Sequence, residues 1–162
     1  MSRLRLLKML YIADRIVLQN VGRTITGDAV CALDNGPVLT RVYDLIKGED
    51  VHIVEWSPFI RNEGKRDLLL LADPGIGKLS RFEVHTLGQV ADRFDSSDDW
   101  EVADYTHAFP EWIKNQPPRG SSKRIPLDDI LEALDMLALK PTLVAQAAAE
   151  SATDQLLPGA LR

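Results

Sequence analysis

Between Arg3 and Asn20, apolar residues return every three or four positions, at Leu6, Leu7, Leu10, Ala13 and Val17. That spacing predicts an amphipathic helix with a broad apolar stripe, which is stable only when other elements cover it. Gly22 follows as a stop signal. Charged residues run through Met1–Leu18 (Arg3, Arg5, Lys8, Asp14 and Arg15), a pattern that does not fit a signal peptide. The longest purely apolar runs, Ala29–Leu33 and Leu68–Ala72, are strand-sized and far short of the ~20 residues of a membrane span. A chain of 162 residues is the size of one domain, or one domain plus a tail.

Further signals divide the rest of the chain. Arg23–Asp28 reads as a loop in which Thr26 or Asp28 bonds nearby backbone N–H groups and Gly27 permits a positive φ. Ala29–Leu33 reads as a strand. Asp34-Asn35-Gly36-Pro37 is the sharpest punctuation, and Pro37 suits the first position of a helix over Pro37–Lys47, carrying Val38, Val42, Leu45 and Ile46. Val51–Leu71 reads as β-rich. A hairpin is expected there from Ser57–Arg61 and Lys65–Leu71, with Pro58 placing its strand at an edge. Ser80 and Glu83 form a capping box that opens a helix over Arg81–Phe94. Asp98 and Glu101 open a shorter helix to about Thr106, and Pro110 opens a turn or short helix with Trp112. Asn115–Arg124, rich in Pro, Gly, Ser and basic residues, reads as a linker. Pro126–Leu139 reads as a helix, Pro141–Thr153 as an Ala-rich one, and residues 154–162 are expected to fray.

The fold expected is therefore α+β. It is a predominantly helical single domain with a small antiparallel β-sheet from residues 29–33 and 57–72, plus a helical C-terminal extension. The expected divisions are a domain over 1–115, a linker over 116–125 and an extension over 126–162.

Charge excludes some functions. The chain carries 19 basic and 24 acidic residues, a net of −5. Asp92, Asp95, Asp98, Asp99, Glu101 and Asp104 fall within thirteen positions against Arg93 alone. Such a segment repels phosphate backbones, so nucleic-acid binding through it is disfavoured, whereas a basic protein surface is compatible with it. Cys31 is the sole cysteine, which rules out an internal disulfide and a Cys-rich zinc site.

Few residues carry a chemical signature. His52, His85 and His107 are scattered, and none belongs to an HExxH pattern. Asp104 and His107 are three apart and share a helix face, the spacing of a metal-ligand or acid–base pair, without an evident third group. A helix-end histidine bonded to a carboxylate or to backbone explains the pair more simply. Gly77-Lys78-Leu79-Ser80 fails the phosphate-loop spacing, because Lys78 is followed by Leu79 and no glycine stands at position 72. No cofactor, no metal and no catalytic set is expected from these residues.

Five segments in order nonetheless resemble one known family. Lys8-Met9-Leu10-Tyr11-Ile12-Ala13-Asp14 is similar to the opening signature of the SocA-like, or Panacea, antitoxin domain. Gly22-Arg23-Thr24-Ile25-Thr26-Gly27-Asp28 resembles its next segment, with Thr24 where proline is usual. Asn35-Gly36-Pro37-Val38 with Val42-Tyr43-Asp44-Leu45, Leu79-Ser80 with Glu83, and Tyr105-Thr106-His107 with Pro110-Glu111-Trp112 complete the resemblance over residues 8–113. Only seven residues precede Lys8, where family members commonly carry another helix.

The resemblance implies a mainly helical, cytoplasmic antitoxin of prokaryotes or their phages, encoded beside a protein toxin that it neutralises by protein–protein contact. It implies neither catalysis nor a cofactor, and it does not identify the toxin. Masking the toxin and delivering it to a cytoplasmic protease are both open. An enzyme or metal-binding protein using Asp104 and His107, and a DNA-binding autoregulator, are the rival classes. The family-motif residues expected to serve structure or to touch the toxin are Tyr11, Asp14, Thr26, Gly27, Asp28, Gly36, Pro37, Tyr43, Thr106, His107 and Trp112. For most of them, capping and turn roles are the simpler reading. The acidic 92–104 segment and the region after the linker are the candidate contact surfaces.

Overall fold

The computed structural model describes residues 1–146 and 148. The remainder of the expected Ala-rich helix and the expected frayed tail lie outside the described residues. The architecture is α+β and predominantly helical, with antiparallel pairing throughout. Among the described residues no helix is long and apolar enough to cross a membrane.

Helix α1 (Arg3–Val21) is capped by Ser2, whose hydroxyl accepts from the Arg5 amide, and ends at Gly22 with φ 82°. It buries Leu7, Met9, Tyr11, Ile12, Ala13, Val17 and Leu18, more than one face, because other elements surround it. Strand β1 (Val30–Leu33) turns through Asp34-Asn35 into β2 (Gly36–Leu39), pairing Leu33 with Gly36 and Ala32 with Pro37.

The helix expected over Pro37–Lys47 thus begins three residues late, because Pro37–Leu39 belong to β2 and α2 spans only Thr40–Lys47. The reason lies in the ladder. Thr40 N–H donates to Ala29 O, and in an antiparallel pair hydrogen-bonded positions alternate, so the backbone groups of residue 37 point away from β1. Strand β2 is an edge strand, so Pro37 forfeits no ladder bond. Asp28 is not confined to a local turn either. Its Oδ2 accepts from the Arg41 and Val42 amides at 2.7 and 3.1 Å and caps α2 from thirteen residues upstream.

The region read as β-rich contains a short helix, α3 (Ile53–Trp56), opened by Asp50, whose carboxylate accepts from the His52 amide. The hairpin is β3 (Ile60–Glu63) with β4 (Asp67–Leu70). Pro58 lies in the turn before it and not in a strand. This hairpin does not join β1. It forms its own two-stranded sheet, and its outer edge meets the N-terminus, with Ser2 bridged to Asp67.

Strand β1 pairs instead with β5 (Lys123–Ile125) at the end of the stretch expected as a linker, which gives the sheet order β2-β1-β5. The single sheet expected from 29–33 and 57–72 is therefore two. The pairing that separates them is long-range and leaves no local signature.

Helices α4 (Arg81–Arg93) and α5 (Asp99–His107) both open with capping boxes, Ser80 with Glu83 and Asp98 with Glu101. Helix α6 (Pro110–Lys114) has Pro110 in its first turn. Helix α7 (Leu127–Ala133) is followed by a short 3-10 turn (Leu137–Leu139) and by helical backbone over 140–146. The main core gathers α1 with Val102, Phe109, Trp112, Ile125, Ile130 and Leu131. A smaller core of Leu7, Val38, Ile46 and Leu68 lies under α2 and the hairpin.

Candidate functional site

The motif residues meet around α1. Lys8 is fully buried, and its Nζ donates to Pro37 O at 2.8 Å. That carbonyl is one that β2 turns away from its ladder, so a buried cation and a free edge acceptor satisfy each other. Burial alone lowers the Lys8 pKa to about 7. Gly36, at φ 96°, lies so close to Thr106, Lys8 and His107 that a Cβ would fall 2.6 Å from Thr106 Oγ1. The Thr106 hydroxyl donates to Ala103 O inside α5. The His107 ring stacks on Trp112 at 4.4 Å between centroids, and Trp112 Nε1 donates to Leu33 O. Lys8, Gly36, Pro37, Thr106, His107 and Trp112 thus form one locus joining α1, β2, α5 and α6.

One helical turn along α1, Glu111 is wholly buried. Its Oε1 accepts from Tyr11 OH and from Arg15 Nε, both at 2.8 Å. Burial, with Glu111 next, pushes the Tyr11 phenol far above its usual value. The Arg15 guanidinium also lies over the Phe109 ring at 4.4 Å.

A further turn along, Asp14 accepts from the Ile25 and Thr26 amides at 2.8 and 3.1 Å and from the Thr26 hydroxyl. Burial raises the Asp14 pKa, and these donors oppose the rise. Thr26 in turn accepts from Asp28 N–H. Arg23 reaches Glu83 at 2.5 Å. Burial pushes the Glu83 carboxyl up, but the Ser80 donors and Arg23 outweigh it and hold its pKa below the ordinary value. Gly27 has open space around it, at φ 63°. Tyr43 stands apart on the smaller core, under the Lys47 ammonium.

Sequence reasoning gave no role to the side chains of Lys8, Arg15 or Glu111, and to Glu83 only its capping box with Ser80, not its pairing with Arg23. Their one local signal is a charge inside an apolar period: Lys8 stands between Leu7 and Met9. The other candidate pair has a different setting. His107 Nδ1 lies 3.3 Å from Asp104 Oδ1, but the Asp104 side chain is 75% exposed. Among the described residues no three His, Cys, Asp or Glu side chains gather as metal ligands. A cleft of about 730 Å³ opens between α1, the 22–30 loop and residues 124–144, with Asp14, Thr26, Asp28 and Arg124 on its walls.

A family model described as antitoxin SocA-like, Panacea domain, matches residues 6–113 of the 162. No curated protein and no solved structure matches the chain.

Proposed function

Because this chain belongs to the SocA-like antitoxin family with its Panacea domain, we propose that it neutralises a cognate protein toxin, encoded by a neighbouring gene, by direct protein–protein contact. The observation that carries this reading is the span of the match, residues 6–113, which takes in all five motif segments. Tyr11 with Glu111, Asp14 with Thr26 and His107 with Trp112 are engaged with one another, so contact with a partner falls to the surface around them. Stable masking of a toxin requires an interface of about 1,200–2,000 Å². The acidic 92–104 segment supports one such surface: Asp92, Asp95, Asp98, Glu101 and Asp104 are all exposed. In this reading the protein acts by binding, and the Asp104–His107 pair closes the end of α5.

The test is growth on expression of the neighbouring open reading frame with and without this chain. The expected result is arrest by the neighbour alone, rescue by co-expression, and co-purification of the two as a stable complex. Rescue with loss of the toxin only in cells that retain a cytoplasmic protease replaces masking with delivery. A neighbour that is harmless under both conditions overturns the pairing.

A further inference from the structure

Beside the start of α1 lies a groove of about 340 Å³ whose walls include Arg3, Leu4, Lys65, Arg66, Asp99 and Trp100. Hydrogen bonds from both ends of the local chain build it. Arg3 N–H donates to Arg66 O at 2.8 Å, and Leu68 N–H to Met1 O at 2.8 Å, which draws the hairpin turn against the helix N-terminus. Arg3 Nη2 donates to Gly64 O at 3.1 Å. The Arg5 guanidinium bonds the carbonyls of Phe94, Asp95 and Ser97, which fixes the start of α5 to the same end of α1. The Asp98 capping box then sets Trp100 in the first turn of α5, where its side chain is 60% exposed.

The electrostatics of this groove are unbalanced. Arg3 and Arg5 stand in the first turn of a 19-residue helix that has no acidic residue there. That is the positive pole of the helix dipole, where an anion is favoured and a cation is not. Among the described residues, Arg3, Lys65 and Arg66 have no carboxylate within ion-pair distance. Arg3 Nε is buried without an acceptor. Among the lining residues three cations thus stand with one carboxylate, Asp99, beside an exposed indole and Leu4, in a protein whose net charge is −5. Aromatic and arginine side chains are the residue types that anchor protein interfaces.

We propose that this groove docks an acidic segment of a partner protein, its carboxylates on Arg3, Lys65 and Arg66 and an apolar side chain on Trp100 and Leu4. It rests on the function proposed above in one respect only: the partner is then the toxin. A peptide fits better than a nucleic acid. The acidic head of α5, with Asp98, Asp99 and Glu101, adjoins the groove and disfavours a continuous phosphate chain, whereas a peptide need present its charges only where the cations stand.

The experiment uses the full chain and a fluorescent peptide in which aspartates and glutamates flank a central leucine-phenylalanine pair. A version with lysines in place of the acids and an oligo-thymidine strand serve as controls. The acidic peptide is expected to bind and the lysine peptide not to bind. Trp100→Ala and Arg66→Glu are each expected to weaken binding about tenfold with the thermal midpoint unchanged, while Asp99→Asn strengthens it. The groove is overturned if the acidic peptide does not bind, if Trp100→Ala and Arg66→Glu leave binding intact, if oligo-thymidine displaces the peptide equally well, or if a second copy of the chain occupies the site, seen as a dimer that Trp100→Ala dissolves. Rescue of growth is scored in parallel. Peptide binding with a harmless neighbour sinks the antitoxin reading and leaves the groove standing. Rescue unaffected by Arg66→Glu removes the toxin from the groove.

Discussion

Lys8 Nζ donates to the carbonyl oxygen of Pro37, 29 residues away and shielded from solvent. The bond exists because β2 is an edge strand that turns the backbone groups of residue 37 toward α1 and away from β1. Lysine reaches that acceptor across the core, and proline at 37 leaves no competing N–H on the same side.

Lys8 makes stability depend on pH. Its folded pKa is about 7 and that of an unfolded lysine is near 10.4, so between these values the unfolded chain binds more protons. Stability is therefore expected to rise with pH, by about 2 kcal/mol from pH 7 to 9. Lys8→Met should flatten the rise. Urea titrations at several pH values check this, and an equal slope in the variant would contradict it.

Gly36→Ala should be costly and Gly27→Ala cheap. Both positions have positive φ, but only at 36 does a Cβ meet a neighbour, Thr106 Oγ1 at 2.6 Å. The expected losses are about 3 kcal/mol and about 1 kcal/mol, from left-handed backbone plus overpacking against left-handed backbone alone. Thermal denaturation of the two variants gives the comparison directly.

Glu111→Ala leaves the Arg15 cation and the Tyr11 hydroxyl without their shared acceptor. Breaking a buried ion pair by removing one partner is expected to cost about 3 kcal/mol. Adding Arg15→Met and Tyr11→Phe should recover part of the loss, because the orphaned polar groups go with it. If the triple variant is no more stable than the single, the three residues are not one unit.

Asp28→Ala removes the acceptor of the Arg41 and Val42 amides. Loss of a helix cap of this kind costs about 1 kcal/mol. Amide exchange should quicken at the start of α2 while α4 and α5 keep their protection.

Ile125→Ala probes whether β5 belongs to the core. Ile125 is 2% exposed and packs with α1, so a loss of about 2–4 kcal/mol is expected. Leu139→Ala, at a half-exposed position, should change stability by less than about 0.5 kcal/mol.

Much of the helical framework was legible along the chain. The apolar period of α1, the two capping boxes and Pro110 at the head of α6 are signals complete within a few residues. The same local logic misread Pro37. A proline after glycine suits a helix start as well as an edge strand, and only the position of β2 at the sheet edge distinguishes them. The motif residues could be named as a set, but not their pairings: Tyr11 with Glu111 spans 100 positions, and Arg23 with Glu83 spans 60.

The sequence by itself determined where α1, α4, α5 and α6 begin, the acidic character of 92–104, and membership of an antitoxin family, because each is written in residues close together or in a fixed order. The tertiary structure decided which strands pair and where the buried charges find partners. It also decided that Arg3, Lys65, Arg66 and Trp100 share one groove. These outcomes depend on contacts between residues far apart in the chain, whose free energy is gained only when the intervening segments fold back and exclude water between them.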